Sequence, residues 1–213
     1  MTKLTIARPT QTEIEIKKSR FITQLQRVSS NDAAEAFVAE VRATNRKANH
    51  NVWAARVGWP ISVERASDDG EPSGTAGAPT LRGLTAHDLS NVVAVTTRYF
   101  GGIKLGASGL IRAYTSAVTA AIIDAGIVRI ENQRELIVDT DYSSYDPLIN
   151  LLKEEQLPVT SAEFTAAVRM HLFLNETDTA RAQELITSYT KGRARFTNGA
   201  TRNAEIPVPI QTK

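Results

Sequence analysis

The sequence predicts an α+β protein of two domains, and three observations carry that expectation. The length of 213 residues suits one large domain or two small ones. Apolar residues switch repeatedly between period 2 and helical spacing over short segments, the mark of mixed elements. From Glu135 onward the order reads strand–helix–strand–strand–helix–strand, which is the ferredoxin-like pattern. The boundary is expected near Glu131-Asn-Gln-Arg134, giving an N-terminal domain of 1–132 and a C-terminal domain of 133–213.

Element by element, Glu13-Ile-Glu-Ile-Lys17 alternates as a strand does, and Phe21–Val28 reads as a second strand. Ser30-Asn31-Asp32 opens a capped helix over 32–44, with Ala34, Phe37, Val38 and Val41 at helical spacing. Val52–Val57 and Ile61–Arg65 are strands joined by a turn at Gly58-Trp59-Pro60. The segment Asp68–Pro79 is a loop, followed by a short helix to about Ala86. Val92–Thr97 is a buried strand by its β-branched content. A glycine-rich turn, Tyr99–Gly109, then feeds a helix with Leu110, Ile111, Tyr114, Val118, Ala121 and Ile122 on one face, ended by Gly126. Ile127–Ile130 and Glu135–Asp139 are read as separate strands, one in each domain. A helix from Ser144 to Glu155, strands near 158–164 and 167–174, a helix over Asp178–Lys191 and a strand near Ala194–Thr197 complete the chain.

Composition narrows the function classes. Hydrophobic residues at 42% and charged residues at 23% allow a core and argue against global disorder. No apolar run approaches the ~20 residues of a membrane span, and Met1–Pro9 lacks a signal-peptide pattern. With no cysteine there is no disulfide, thiolate metal site or cysteine nucleophile. A cytoplasmic protein with no membrane contact is expected. Net charge is +2, but residues 1–132 carry 16 Lys+Arg against 12 Asp+Glu, while 133–213 carry 9 against 11. A mildly basic front half suits a polyanion.

Two segments could carry chemistry. In the glycine turn, Gly101, Gly102, Gly106, Ser108 and Gly109 lie between a buried strand and a helix start, with Arg98, Lys104 and Arg112 close by. Unpaired helix N–H groups, close backbone approach and cations together make an anion or nucleic-acid site. The same glycines would equally let strand and helix pack tightly. The spacing matches neither a Walker A loop nor a dinucleotide fingerprint. The second segment sets Asp68, Asp69 and Glu71 in one loop, a candidate loop site together with His50; capping and loop structure are the favoured roles of the carboxylates. His50, His87 and His171 have no metal-ligand spacing, and no serine sits in a nucleophile elbow. No catalytic residue, cofactor or metal is expected. Arg193, Arg195, Phe196 and Arg202 mix cations with an aromatic, as strand alternation alone explains.

The ordered stretches Asp68–Pro79, Arg98-Tyr-Phe-Gly-Gly-Ile-Lys-Leu-Gly106 and Gly109-Leu-Ile-Arg-Ala-Tyr114 resemble the signature of the YigZ/IMPACT family, and Ser19–Ile22 and Ala48–His50 fit it too. The resemblance implies a front βαβ domain like that of a small-subunit ribosomal protein and of domain IV of the translocating elongation factor. It implies a ferredoxin-like tail like domain V of that factor, as in bacterial two-domain members. Eukaryotic members resemble regulators of translation that compete for the activator of a starvation-sensing kinase; their extra N-terminal domain has no counterpart in this chain. One departure is Ser108, where members commonly carry a second glycine; here it is expected to cap the helix. The functional expectation is a non-enzymatic RNA- or ribosome-binding protein linked to translation. Two alternatives stand beside it: an enzyme holding a phosphorylated small molecule or nucleotide at the glycine turn, and a protein–protein adaptor that uses an exposed Trp59.

Overall fold

The computed structural model describes residues 3–210; residues 1–2 and 211–213, the outermost of the two expected domains, lie outside the described residues. The fold is α+β and divides into two compact units, residues 3–130 with 205–210 and residues 131–204.

In the first unit, β1 (Leu4–Ile6) precedes the hairpin of β2 (Thr10–Ile16) and β3 (Ser19–Arg27). Helix α1 (Asn31–Thr44) follows, started by Ser30, whose side chain accepts a hydrogen bond from the Ala33 amide. Then come β4 (His50–Val57), β5 (Val63–Ser67), α2 (Gly77–Ala86), β6 (Val92–Tyr99) and α3 (Gly106–Ala125). The sheet order is β2-β3-β6-β4-β5, with every neighbouring pair antiparallel. Strands β3 and β4 therefore run parallel on either side of β6, and β3–α1–β4 is a βαβ unit.

Alternation along β6 explains how the sheet is covered. Val93 and Val95 face α1 with Val38, Val41 and Ala55, while Val92 and Ala94 face Leu84 of α2 and Val118 and Ile122 of α3. A strand buried on both faces needs a continuous apolar run, and Val92–Val95 supplies it. At roughly 25 cal/mol per Å² of apolar surface, these two cores hold the unit and fix the strand ends that carry the site.

The second unit takes β7 (Ile127–Thr140) from Glu131 onward, then α4 (Tyr142–Glu154), β8 (Ser161–Phe164), β9 (Val168–Leu174), α5 (Glu176–Thr190) and β10 (Arg195–Val208) as far as Ala204. This is the βαββαβ order, and the strands pair as β10-β7-β9-β8. Leu148 and Leu152 of α4 and Ala182 and Ile186 of α5 pack on Leu136, Val138, Met170 and Leu172. Asp141 and Asn175 cap the two helices, accepting from the amides of Ser144 and Asp178.

Four differences from the sequence expectation have physical causes. The three-residue β1 is too short to show a period; it pairs with Ile127–Arg129 of β7. The strands expected at Ile127–Ile130 and Glu135–Asp139 are one strand, β7, which runs unbroken through Glu131–Arg134, where the two units divide. The last strand is far longer than Ala194–Thr197, and residues 205–210 group with the first unit rather than with 133–204: Val208 and Ile210 pack on its core and Glu205 pairs with Arg27. Trp59 is half-buried, its indole nitrogen enclosed and Lys3 Nζ 5.7 Å from its ring, so it is no free anchor. Among the described residues no helix is long and apolar enough to cross a membrane.

Candidate functional site

One end of the first unit's sheet gathers most of the sequence-predicted site. The antiparallel register brings the start of β3 (Arg20↔Tyr99) and the start of β4 (His50↔Arg98) to the end of β6. Three connections meet there: the β2–β3 turn, the α1–β4 loop and the β6–α3 glycine turn. The glycine turn can lie against the β2–β3 turn because residue 101 lacks a side chain; a Cβ there would sit 2.0 Å from the backbone carbonyl carbon and oxygen of Lys18. The Gly101 amide donates to Ser19 Oγ at 3.1 Å, and the Phe100 amide donates to Asn49 Oδ1 at 2.8 Å.

Between the glycine turn and the acidic loop opens a cleft of about 470 Å³, lined by His50, Glu71, Pro72, Arg98, Phe100, Lys104, Gly106 and Leu110, among others. Its floor is a buried ion pair. Arg98 Nη1 donates to Glu71 Oε1 at 2.6 Å, and the two side chains are 6% and 3% exposed. Tyr114 Oη donates to the same Oε1 at 2.8 Å. Burial, and after it the charge of Glu71, push the Tyr114 phenol well above its ordinary value, so it remains a donor. The guanidinium lies 5.3 Å from the Phe21 ring and 5.5 Å from the Phe100 ring. Phe100 is 45% exposed and faces outward.

His50 stands beside this floor. Its Nδ1 is 2.8 Å from the Asp69 carbonyl oxygen, which can only accept, so Nδ1 carries the proton. Its Nε2 lies 3.9 Å from Glu71 Oε2, too far for a hydrogen bond.

The acidic loop does not present three free carboxylates. Asp68 accepts from the amides of Gly74, Ala76 and Gly77 and so organises the entry to α2. Burial by itself would raise its pKa, but the three amides together outweigh burial and hold the carboxyl below its ordinary value. Asp69 accepts from the Asn51 amide at 2.6 Å and pairs with Arg42. Both residues serve the fold, and Glu71 alone of the three reaches the cleft.

The cationic expectations divide as well. Arg98 cannot act as a free phosphate clamp, because its charge is buried and answered by Glu71. Lys104 is exposed on the rim, whereas Arg112 is exposed on α3 away from the residues lining the cleft. Gly102 and Gly106 take φ of +82° and +72°, and Gly109 is buried in the first turn of α3 against Leu105. Ser108 is not the cap: the cap position falls on Leu105, with no side-chain hydrogen bond, and Ser108 is the third helical residue. The α3 N-terminus thus keeps its amides free of side-chain acceptors.

Sequence reasoning missed four cations. Lys17 and Lys18 in the β2–β3 turn and Arg46 and Lys47 in the α1–β4 loop are exposed, and like Lys104 none has a carboxylate within salt-bridge reach among the described residues. Their signal was weak, two adjacent pairs far apart in the chain, and became meaningful once the register joined those loops.

Comparison with known proteins agrees with this architecture. The family description "Impact N-terminal domain" matches residues 17–122, and "Domain of unknown function (DUF1949)" matches residues 138–193. The IMPACT family member YvyE of Bacillus subtilis (strain 168) is 38% identical over 187 residues, covering 88% of this chain and 86% of its own. The IMPACT family member YigZ of Escherichia coli (strain K12) is 34% identical over 188 residues, covering 87% and 92%. A solved structure described as the crystal structure of a hypothetical protein superposes with a TM-score of 0.59 at 32% identity, covering 92% of this chain and 96% of that one.

Proposed function

The chain belongs to the IMPACT family, and from the site just described we propose that it is a non-enzymatic RNA- or ribosome-binding protein linked to translation. One observation carries the reading: Lys17, Lys18, Arg46, Lys47 and Lys104, without carboxylate partners among the described residues, lie on the three connections that meet at the end of β6, just before the uncapped start of α3. Cations so placed hold phosphates and release their counterions. The neutral Arg98–Glu71 pair below them adds no net charge, so attraction comes from the rim.

The test is fluorescence anisotropy of a labelled structured RNA over a range of salt. Engagement of all five cations predicts a slope of log K against log salt of about −3.5 on single-stranded segments. Lys17→Ala with Lys18→Ala should lower the slope by about 1.4 and weaken binding across all sequences alike. A salt-insensitive complex, or one indifferent to these substitutions, overturns the reading.

A second reading, an enzyme acting on a phosphorylated small molecule or nucleotide, is favoured by the cleft itself, where His50 and Glu71 stand beside a helix start. Thermal stabilisation by magnesium nucleotide at millimolar concentration would support it. No shift would remove it.

A further inference from the structure

We propose that the cleft is a pocket for one unstacked nucleobase bearing an exocyclic amino group, an inference that rests on the phosphate-binding reading above. The geometry leaves two acceptors facing one another without a donor between them. Glu71 spends Oε1 on Arg98 and Tyr114, and among the described residues Oε2 accepts no hydrogen bond. The His50 ring holds a proton at Nδ1 through its bond to the Asp69 carbonyl, and in the tautomer with that single proton Nε2 carries a lone pair. These two atoms are 3.9 Å apart. A single amino nitrogen can stand about 2.9 Å from both and give each one hydrogen.

The rest of the pocket fits the body of a base. Phe100 offers an exposed ring face, backed by the Arg98 guanidinium, and Pro72, Leu105 and Leu110 supply apolar walls. Stacking on an aromatic platform is how proteins hold unpaired bases, and it tolerates any base. Selection then falls to the polar edge. The 4-amino group of cytosine and the 6-amino group of adenine satisfy both acceptors. The corresponding carbonyls of uracil and hypoxanthine place a third acceptor against two and leave all three without a donor, which a small pocket rejects. Lys104 and the start of α3 stand on the rim where the adjoining phosphate would lie.

A nucleotide within RNA and a free nucleotide share this chemistry, and the test separates them. Short single-stranded cytidine and uridine oligomers are titrated at pH 8, above the range in which imidazoles ordinarily titrate. In parallel, amide shifts of Phe100 and Lys104 are followed by NMR with CMP against UMP and AMP against IMP. The expected result is a preference for cytidine over uridine of about fivefold or more. Phe100→Ala should weaken the cytidine complex by about 5- to 100-fold and leave the salt slope in place. His50→Phe should remove the preference while keeping the stacking surface. Lys17→Ala with Lys18→Ala should weaken both oligomers equally and leave the preference intact. Equal affinity for cytidine and uridine, or a preference that survives both Phe100→Ala and His50→Phe, overturns the pocket while the rim reading stands. If no oligomer binds, the structured-RNA titration decides the rim reading and the mononucleotides decide the pocket: shifts with CMP and AMP but not UMP and IMP uphold it with a free nucleotide as ligand, and silence overturns it.

Discussion

Replacing Glu71 by alanine isolates the energetics of the cleft floor. Glu71 and Arg98 have side chains 3% and 6% exposed, so removing the carboxylate strands a guanidinium that water cannot reach. Breaking a buried pair from one side costs about 3–5 kcal/mol. Tyr114 Oη also loses its acceptor, which costs about 1–3 kcal/mol. The two losses share one network and are not additive, so about 4–6 kcal/mol is expected, a large part of the stability of a domain of this size. The assay is urea unfolding followed by tryptophan fluorescence. Both tryptophans, Trp53 and Trp59, lie in the first unit, so the signal reports this unit even where the second unfolds separately. With m of about 2 kcal/mol/M, the midpoint should fall by about 2–3 M. The control is the pair of changes Glu71→Leu and Arg98→Met, which removes both charges. It should be less destabilising than the two single substitutions together by about 2 kcal/mol or more. A Glu71→Ala loss below about 1 kcal/mol, or a cycle additive to within about 0.5 kcal/mol, would refute the buried pair as the organiser of this floor.

Asp68→Asn tests the loop anchor: the Asp68 pKa is lowered in the folded state, so its stabilisation is complete above the ordinary aspartate value of about 3.9 and is lost as pH falls through the lowered folded value. Thermal melts should show a wild-type advantage of about 1–2 kcal/mol near pH 7 that shrinks below about pH 4, and a gap constant with pH would contradict the assignment. Gly101→Ala puts a Cβ 2.0 Å from the Lys18 carbonyl, so backbone must move; a loss of about 3 kcal/mol or more is expected by calorimetry, and near-native stability would mean the two turns do not abut.

What the sequence disclosed follows the range of the interactions. Period-2 and helical spacings are local, so α1, β6, α3 and the βαββαβ tail could be read directly. The continuity of β7 could not, because Glu131-Asn-Gln-Arg134 carries no apolar alternation and owes its strand conformation to neighbouring strands. The same divide runs through the site. The glycine turn and the acidic loop were visible as segments. That Arg98 would be consumed by Glu71, 27 residues earlier, was not, since the pair depends on β-register and on Tyr114 arriving from α3. Asp68 and Asp69 were visible as charges, but only folded geometry shows them spent on backbone amides and Arg42.

The division between floor and rim also explains why so costly a pair should sit there. A buried ion pair is seldom more stable than a hydrophobic replacement of the same shape, so stability alone does not account for Arg98 and Glu71. Their joint effect is positional. Arg98 lies between the rings of Phe21 and Phe100 and backs the exposed ring. Tyr114 and Arg98 both hold Oε1 of Glu71, which leaves Oε2 turned toward His50. The rim charges act through solvent and weaken with salt. The floor acts through hydrogen bonds and stacking set on a buried ion pair, which salt screens far less. Affinity and selectivity therefore belong to different residues, and raising the salt should weaken every complex while leaving the ratio between bases unchanged.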